Sequence, residues 1–248
     1  MPYLRSALLA LALIPCSALA DWSCQSGNSQ AALLELYTSQ GCSSCPPADR
    51  WLTSLKQRDD LWTDVVPVAW HVTYWDYLGW RDPFGHRSND QRQRSMAAAA
   101  GAQVYTPGMF MNRGEFRSWR RLPPGGMTSP AIEVGSLSAD AEGSQVAIRF
   151  RPVEGLTLSA PRAELVYLRS DRRTDVKRGE NRGRELQHDF VAGTPTVVKL
   201  RRDGDDWIGT VDKVPHPDSV AVALWVTDRA GNYLQATGGW LHSKGAGS

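Results

Sequence analysis

This 248-residue chain lacks most of the sequence features that announce a function. It has no apolar run that approaches the roughly 20 residues a membrane-spanning helix needs; its best candidate, Leu8–Ile14, is too short. It has no block of one charge. The formal net charge is +2, and the densest basic group (Arg172, Arg173, Lys177 and Arg178) is interleaved with Asp171, Asp175 and Glu180. That mixture reads as a solvated loop, so nucleic acid is not an expected partner. There are no internal repeats or low-complexity tracts. Cysteine is scarce, with 4 in all. A zinc site would need a second C-x-x-C or an H-x-H pair, and neither is present.

The first twenty residues have the layout of a secretory signal peptide: Arg5, the apolar run Leu8–Ile14, then Ala18-Leu19-Ala20 as a small-x-small cleavage site. Pro15 before Cys16 argues against a lipid-anchor box. Cleavage after Ala20 removes Arg5, taking the charge from +2 to +1, and leaves Cys24, Cys42 and Cys45. The expected location is the periplasm or the exterior, where thiols oxidise. If Cys42 and Cys45 pair, Cys24 is left over as a free thiol, an intermolecular bridge or a third redox partner.

What is present is concentrated between Leu33 and Asp49, LLELYTSQGCSSCPPAD. An apolar run gives way to a polar turn, then to Cys42 and Cys45, then to two prolines and a helix expected over 48–57. The reading is strand, turn and helix, with a C-x-x-C at the helix start. Unpaired N–H groups and the helix dipole favour a thiolate there. Cys42 is the candidate nucleophile and Cys45 the resolving thiol. Ser43 and Ser44 offer hydroxyls to a thiolate, whereas Pro46 and Pro47 remove two donors, so thiolate stabilisation is expected to be modest. A structural disulfide is the plainer reading, although so short a loop stabilises weakly.

Further along, Val65–Val72 reads as a second buried strand, with Pro67 arguing for its beginning or a sheet edge. An aromatic block follows, including Trp75 and Trp80, as a substrate groove or as interdomain packing. A helix is expected over 88–100, capped by Ser88 or Asn89. A hairpin turns at Arg113-Gly114. Pro123–Gly126 is the candidate linker. Beyond it, seven short alternating segments starting at Ile132, Gln145, Ala163, Thr194, Trp207, Val220 and Tyr233 suggest an antiparallel sandwich.

In an open α/β sheet, functional groups gather at strand ends. Those ends supply Cys42, His71 and Thr106-Pro107. An X-Pro opposite a C-x-x-C is the arrangement of the thioredoxin fold, in which the proline is cis and the residue before it binds an extended substrate. Pro107 is therefore a candidate catalytic residue that shapes substrate binding, with Thr106 a candidate substrate-binding residue; Trp75 and Trp80 of the aromatic block are candidate substrate-binding residues too. Glu35, seven residues before Cys42, is either a buried proton acceptor for the resolving thiol or the partner of Arg50, Arg92 or Arg94. His71 is a general base, a metal ligand or a core residue.

Four stretches, residues 35–49, 71–84, 105–107 and 179–184, resemble the secreted family called domain of unknown function 1223. The resemblance implies a thioredoxin-like domain with an added β domain and supplies no function. The expected organisation is a signal peptide (1–20), a flexible lead-in (21–30), an α/β thioredoxin-like domain (31–122) and an antiparallel β-sandwich-like domain (127–242). The first expected function is thiol–disulfide exchange on a protein or small-molecule substrate, with no cofactor. The alternatives are soft-metal handling by Cys42, Cys45 and His71, as for Cu(I), and a binding module with a locked disulfide.

Overall fold

Residues 22–241 are described by the structure, a computed structural model. The expected signal peptide lies outside them. The described residues are mostly β-strand with two α-helices. It begins with β1 (Trp22–Gln25), β2 (Ala32–Thr38), α1 (Pro46–Thr53), β3 (Val65–His71), α2 (Arg87–Ala100), β4 (Gly108–Met111) and β5 (Gly114–Glu115). The next strands are β6 (Gly135–Glu142), β7 (Gln145–Pro152), β8 (Arg162–Arg169), β9 (Arg172–Asp175) and β10 (Glu185–His188). The remainder are β11 (Val191–Ala192), β12 (Thr196–Lys199), β13 (Arg201–Asp203), β14 (Asp206–Asp212), β15 (Ala221–Thr227) and β16 (Tyr233–Trp240).

The largest sheet runs β16-β15-β8-β11-β3-β2-β4-β5, with β12 also on β8. β2 and β3 pair in parallel, and every residue of both is buried. This sheet is continuous across the 123–126 segment. The joint is β11, parallel to β3 at Val191↔Ala69 and antiparallel to β8. A second sheet, β1-β6-β7-β14-β13, packs on β8, β15 and β16. Alternation along β15 feeds both cores. Ala221, Ala223 and Trp225 face the helical side, while Val222, Leu224 and Val226 face the second sheet. The seven expected strand segments all appear, the one from Thr194 divided into β12 and β13.

Three expectations need correction. Trp22–Gln25 are not a flexible lead-in: Trp22 and Cys24 alternate inward, and the segment pairs with β6. Pro67 lies mid-strand, opposite Leu34. The Ala69 N–H bonds to Phe190 O on the β11 side. Odd-numbered β3 residues therefore turn their N–H that way, where β11 is too short to reach position 67, and proline forfeits no ladder bond. The hairpin turns at Asn112-Arg113, with φ of 48° and 70°, not at Arg113-Gly114. Asn112 tolerates that backbone and ties the turn to β2, its Oδ1 accepting from Leu33 N–H at 2.8 Å.

Candidate functional site around Cys42 and Cys45

The sequence bends into the site immediately after β2. Cys42 N–H donates to Ser39 O (3.1 Å) and Cys45 N–H to Cys42 O (3.2 Å), so the C-x-x-C is a tight turn. Gly41 is required there, since a Cβ would stand 2.8 Å from the Trp75 Cβ. Cys45 is the N-cap of α1, and the two prolines open the helix where a missing N–H matters least. Helix α1 starts two residues earlier than expected for that reason. Cys42 and Cys45 form a disulfide with Cα atoms 5.5 Å apart, and both residues are 0% exposed. The Ser44 hydroxyl lies 3.4 Å from Cys42 Sγ.

The cover comes from a distant part of the chain. Strands β9 and β10 form a hairpin whose tip, residues 176–184, lies over the cysteine turn. Asn181, 0% exposed, donates from Nδ2 to Gln40 O and Cys42 O, both at 2.9 Å. Glu180 accepts the Ser43 N–H at 3.0 Å, and that bond holds its carboxyl below the ordinary value. Sequence reading noted this loop without assigning it a site. Two open cavities flank the tip, of about 610 Å³ beside Leu78 and Arg182 and about 550 Å³ beside Ser43 and Arg50.

Thr106–Pro107 is cis, and the Trp75 indole donates to Thr106 Oγ1 at 2.8 Å. Trp80 donates to Gln40 Oε1 at 3.0 Å. Thus Gly41, Trp75 and Thr106 form one contiguous group, and Trp80 braces the turn next to it. The aromatic side chains at these two positions are fixed from within, and Tyr77 is the one that projects into solvent, 79% exposed.

Glu35 is placed away from the cysteines. Paired residues of parallel strands share a face, so Glu35, Tyr37, Val68 and Trp70 lie together, on the side of α2. There Arg92 bonds Glu35 (2.8 Å from Nη2) and Glu164, while the Trp70 indole donates to Glu35 at 3.0 Å. The Arg92 guanidinium stacks 4.4 Å from the Trp70 ring, held protonated by the two carboxylates against the opposing effect of burial. The arginine-partner reading of Glu35 fits this geometry, and the proton-acceptor reading does not.

His71 faces the other way, toward α1. Its Nδ1 is 2.7 Å from Asp82 Oδ2, and its ring lies 4.7 Å from that of His188. His188 in turn lies 3.8 Å from Asp49 of α1, too far for a hydrogen bond. Burial pushes the Asp82 carboxyl up, but His71 and the N–H groups of Gln40 and Phe84 together bring it below its ordinary value. His71 Nε2 and both His188 ring nitrogens have no hydrogen-bond partner among the described residues. Sequence reading missed Asp49 and His188. A signal for Asp49 exists, since it stands four residues after Cys45 and shares its helix face.

The described residues bring together no set of three or more His, Cys, Asp or Glu able to hold a metal. The Cys42, Cys45 and His71 combination is therefore not assembled, because the thiols are joined to each other and His71 is engaged with Asp82. Cys24 is separate from the pair. Burial pushes its thiol up to about 12, which leaves it inert. No described helix is long and apolar enough to cross a membrane.

The profile of a family described as "Protein of unknown function (DUF1223)" matches residues 33–227. An X-ray crystal structure of a protein from Agrobacterium tumefaciens is similar in fold, with a TM-score of 0.64 and 23% identity. The match covers 90% of this chain and 99% of that one. A comparison with curated proteins finds no match.

Proposed function

We propose that this chain, which belongs to the DUF1223 family of unknown function, is a periplasmic or secreted thioredoxin-like thiol–disulfide oxidoreductase. The observation that carries this reading is the Cys42–Cys45 disulfide at the N-cap of α1, beneath a cap made of polar contacts. A purely structural crosslink across three residues needs no such cap. Cys42 takes the attack of a substrate thiolate and Cys45 is released, or the steps run in reverse. Thr106 and Pro107, joined to the turn through Trp75, seat the substrate. Access to the buried sulfur requires the 176–184 tip to lift, which breaks three hydrogen bonds.

The test is exchange with oxidised and reduced glutathione, followed by mass spectrometry. Wild type is expected to form a mixed disulfide at Cys42 and turn over, and Cys42→Ser to lose turnover entirely. Turnover persisting in Cys42→Ser would sink the reading. Complete burial of both cysteines favours a second reading, a binding module with a locked disulfide. It predicts that the folded protein does not react with thiols.

A further inference from the structure

We infer that Asp49 and His188 form the internal proton carrier of the resolving thiol Cys45, and this rests on the exchange chemistry proposed above. The need for a carrier comes from burial. Breaking the disulfide puts an electron pair on Cys45 Sγ, and a thiolate there, 0% exposed, must take up a proton from inside the protein. The choice of groups comes from geometry. Asp49 N–H donates to Cys45 O at 3.2 Å, so the Asp49 side chain follows Cys45 by one helical turn on the buried face of α1. Glu35 lies on the opposite face of the sheet and is saturated by Arg92 and Trp70.

His188 is 2% exposed, stands 3.8 Å from Asp49, and makes no hydrogen bond among the described residues. A buried imidazole with both nitrogens unpartnered is rare in a purely structural role. The elements around it contribute charged or titratable groups: Asp49 from α1, His71 from β3, Asp82 from the loop after β3, the adjoining Asp189 with its partner Lys56, and Arg172, its register partner on β9, which pairs with Asp218. Arg169 of β8 covers the Phe84 ring that packs against both histidines. Burial pushes the His188 imidazole down, but Asp49 first, then Asp82 and Asp189, more than offset it. Its pKa stands above the ordinary 6.5, so it holds a proton more readily than a free imidazole.

In the reducing direction a substrate thiolate attacks Cys42 Sγ. The substrate–Cys42 bond forms, the Cys42–Cys45 bond breaks, and its electron pair stays on Cys45. The His188 proton passes to Cys45 Sγ, leaving neutral imidazole beside Asp49. A second substrate thiolate then releases Cys42. Two substrate thiols become one disulfide, and the protein disulfide becomes two thiols. In the oxidising direction His188 takes the proton back.

The experiment is reduction of the folded wild-type, His188→Gln and Asp49→Asn proteins by dithiothreitol from pH 5.5 to 9. Rates are divided by the dithiothreitol thiolate fraction. The wild-type rate is expected to fall by about tenfold or more as His188 loses its proton. His188→Gln is expected to lack that fall, and Asp49→Asn to show it at lower pH. NMR titration of His188 in oxidised and reduced wild type covers the case of a variant that does not fold, and its midpoint is expected to differ between the two states. A wild-type profile without the fall, one pH profile shared by all three proteins, or one His188 midpoint in both redox states, overturns the inference. A folded wild type that dithiothreitol cannot reduce overturns the proposed function instead.

Discussion

The two faces of the β2–β3 pair each bury a charged network, and the two networks are finished differently. On the α2 face, Arg92 joins Glu35 to Glu164, Trp70 donates to Glu35, and the guanidinium lies over the Trp70 and Trp225 rings. On the α1 face, His71, His188, Asp49 and Asp82 crowd together, yet three of the four imidazole nitrogens bond to nothing described. A satisfied buried network fixes a structure, while an unsatisfied one retains the capacity to accept or release a proton. The C-x-x-C sits on the unsatisfied side.

Four substitutions break or sharpen that contrast. The largest effect is expected from Arg92→Ala, which leaves Glu35 buried and unpaired. Urea unfolding should show a loss of about 3–5 kcal/mol, with exchange per folded molecule unchanged. Glu35→Gln keeps the shape and weakens the charge-assisted bonds, for a loss of about 1–3 kcal/mol. Its exchange rate should have the wild-type pH dependence, and a flattened profile would return the proton-acceptor role to Glu35. Asn181→Ala removes both bonds to the cysteine turn, costs about 1–2 kcal/mol, and should speed reduction of the disulfide in stopped-flow. Slower or unchanged reduction would mean that the hairpin tip does not control access.

The smallest change in stability is expected from His188→Gln, about 1 kcal/mol or less near pH 7, because no hydrogen bond is lost. Its signature is a pH slope. The folded pKa of His188 lies above the unfolded 6.5. The wild-type stabilisation is therefore complete below pH 6.5 and lost as pH rises through the folded value. The stability difference between wild type and His188→Gln should shrink over that window. A difference that stays constant from pH 6 to 9 would separate His188 from the charges around it.

The cysteine turn was legible because its signals are local: an apolar run, a polar break, two cysteines and two prolines in a row. The β-rich half was legible from period-two alternation between turn residues. Glu35 was legible only as two alternatives, and its pairing with Arg92 on the α2 face is the one the geometry fits. Asp49 was within reach of the helical period and went unweighed. Asn181 and His188 were out of reach, because β9 and β10 bring them over α1 from more than a hundred residues away. The joint between the two halves depends on Val191–Ala192, a strand of two residues that no periodicity reveals.

The reduction potential of the Cys42–Cys45 pair, measured by glutathione titration with trapping of free thiols, tests the central claim most directly. The account predicts a value between about −270 and −120 mV, the span of working oxidoreductases. A value below about −300 mV would contradict it and make the pair a structural disulfide.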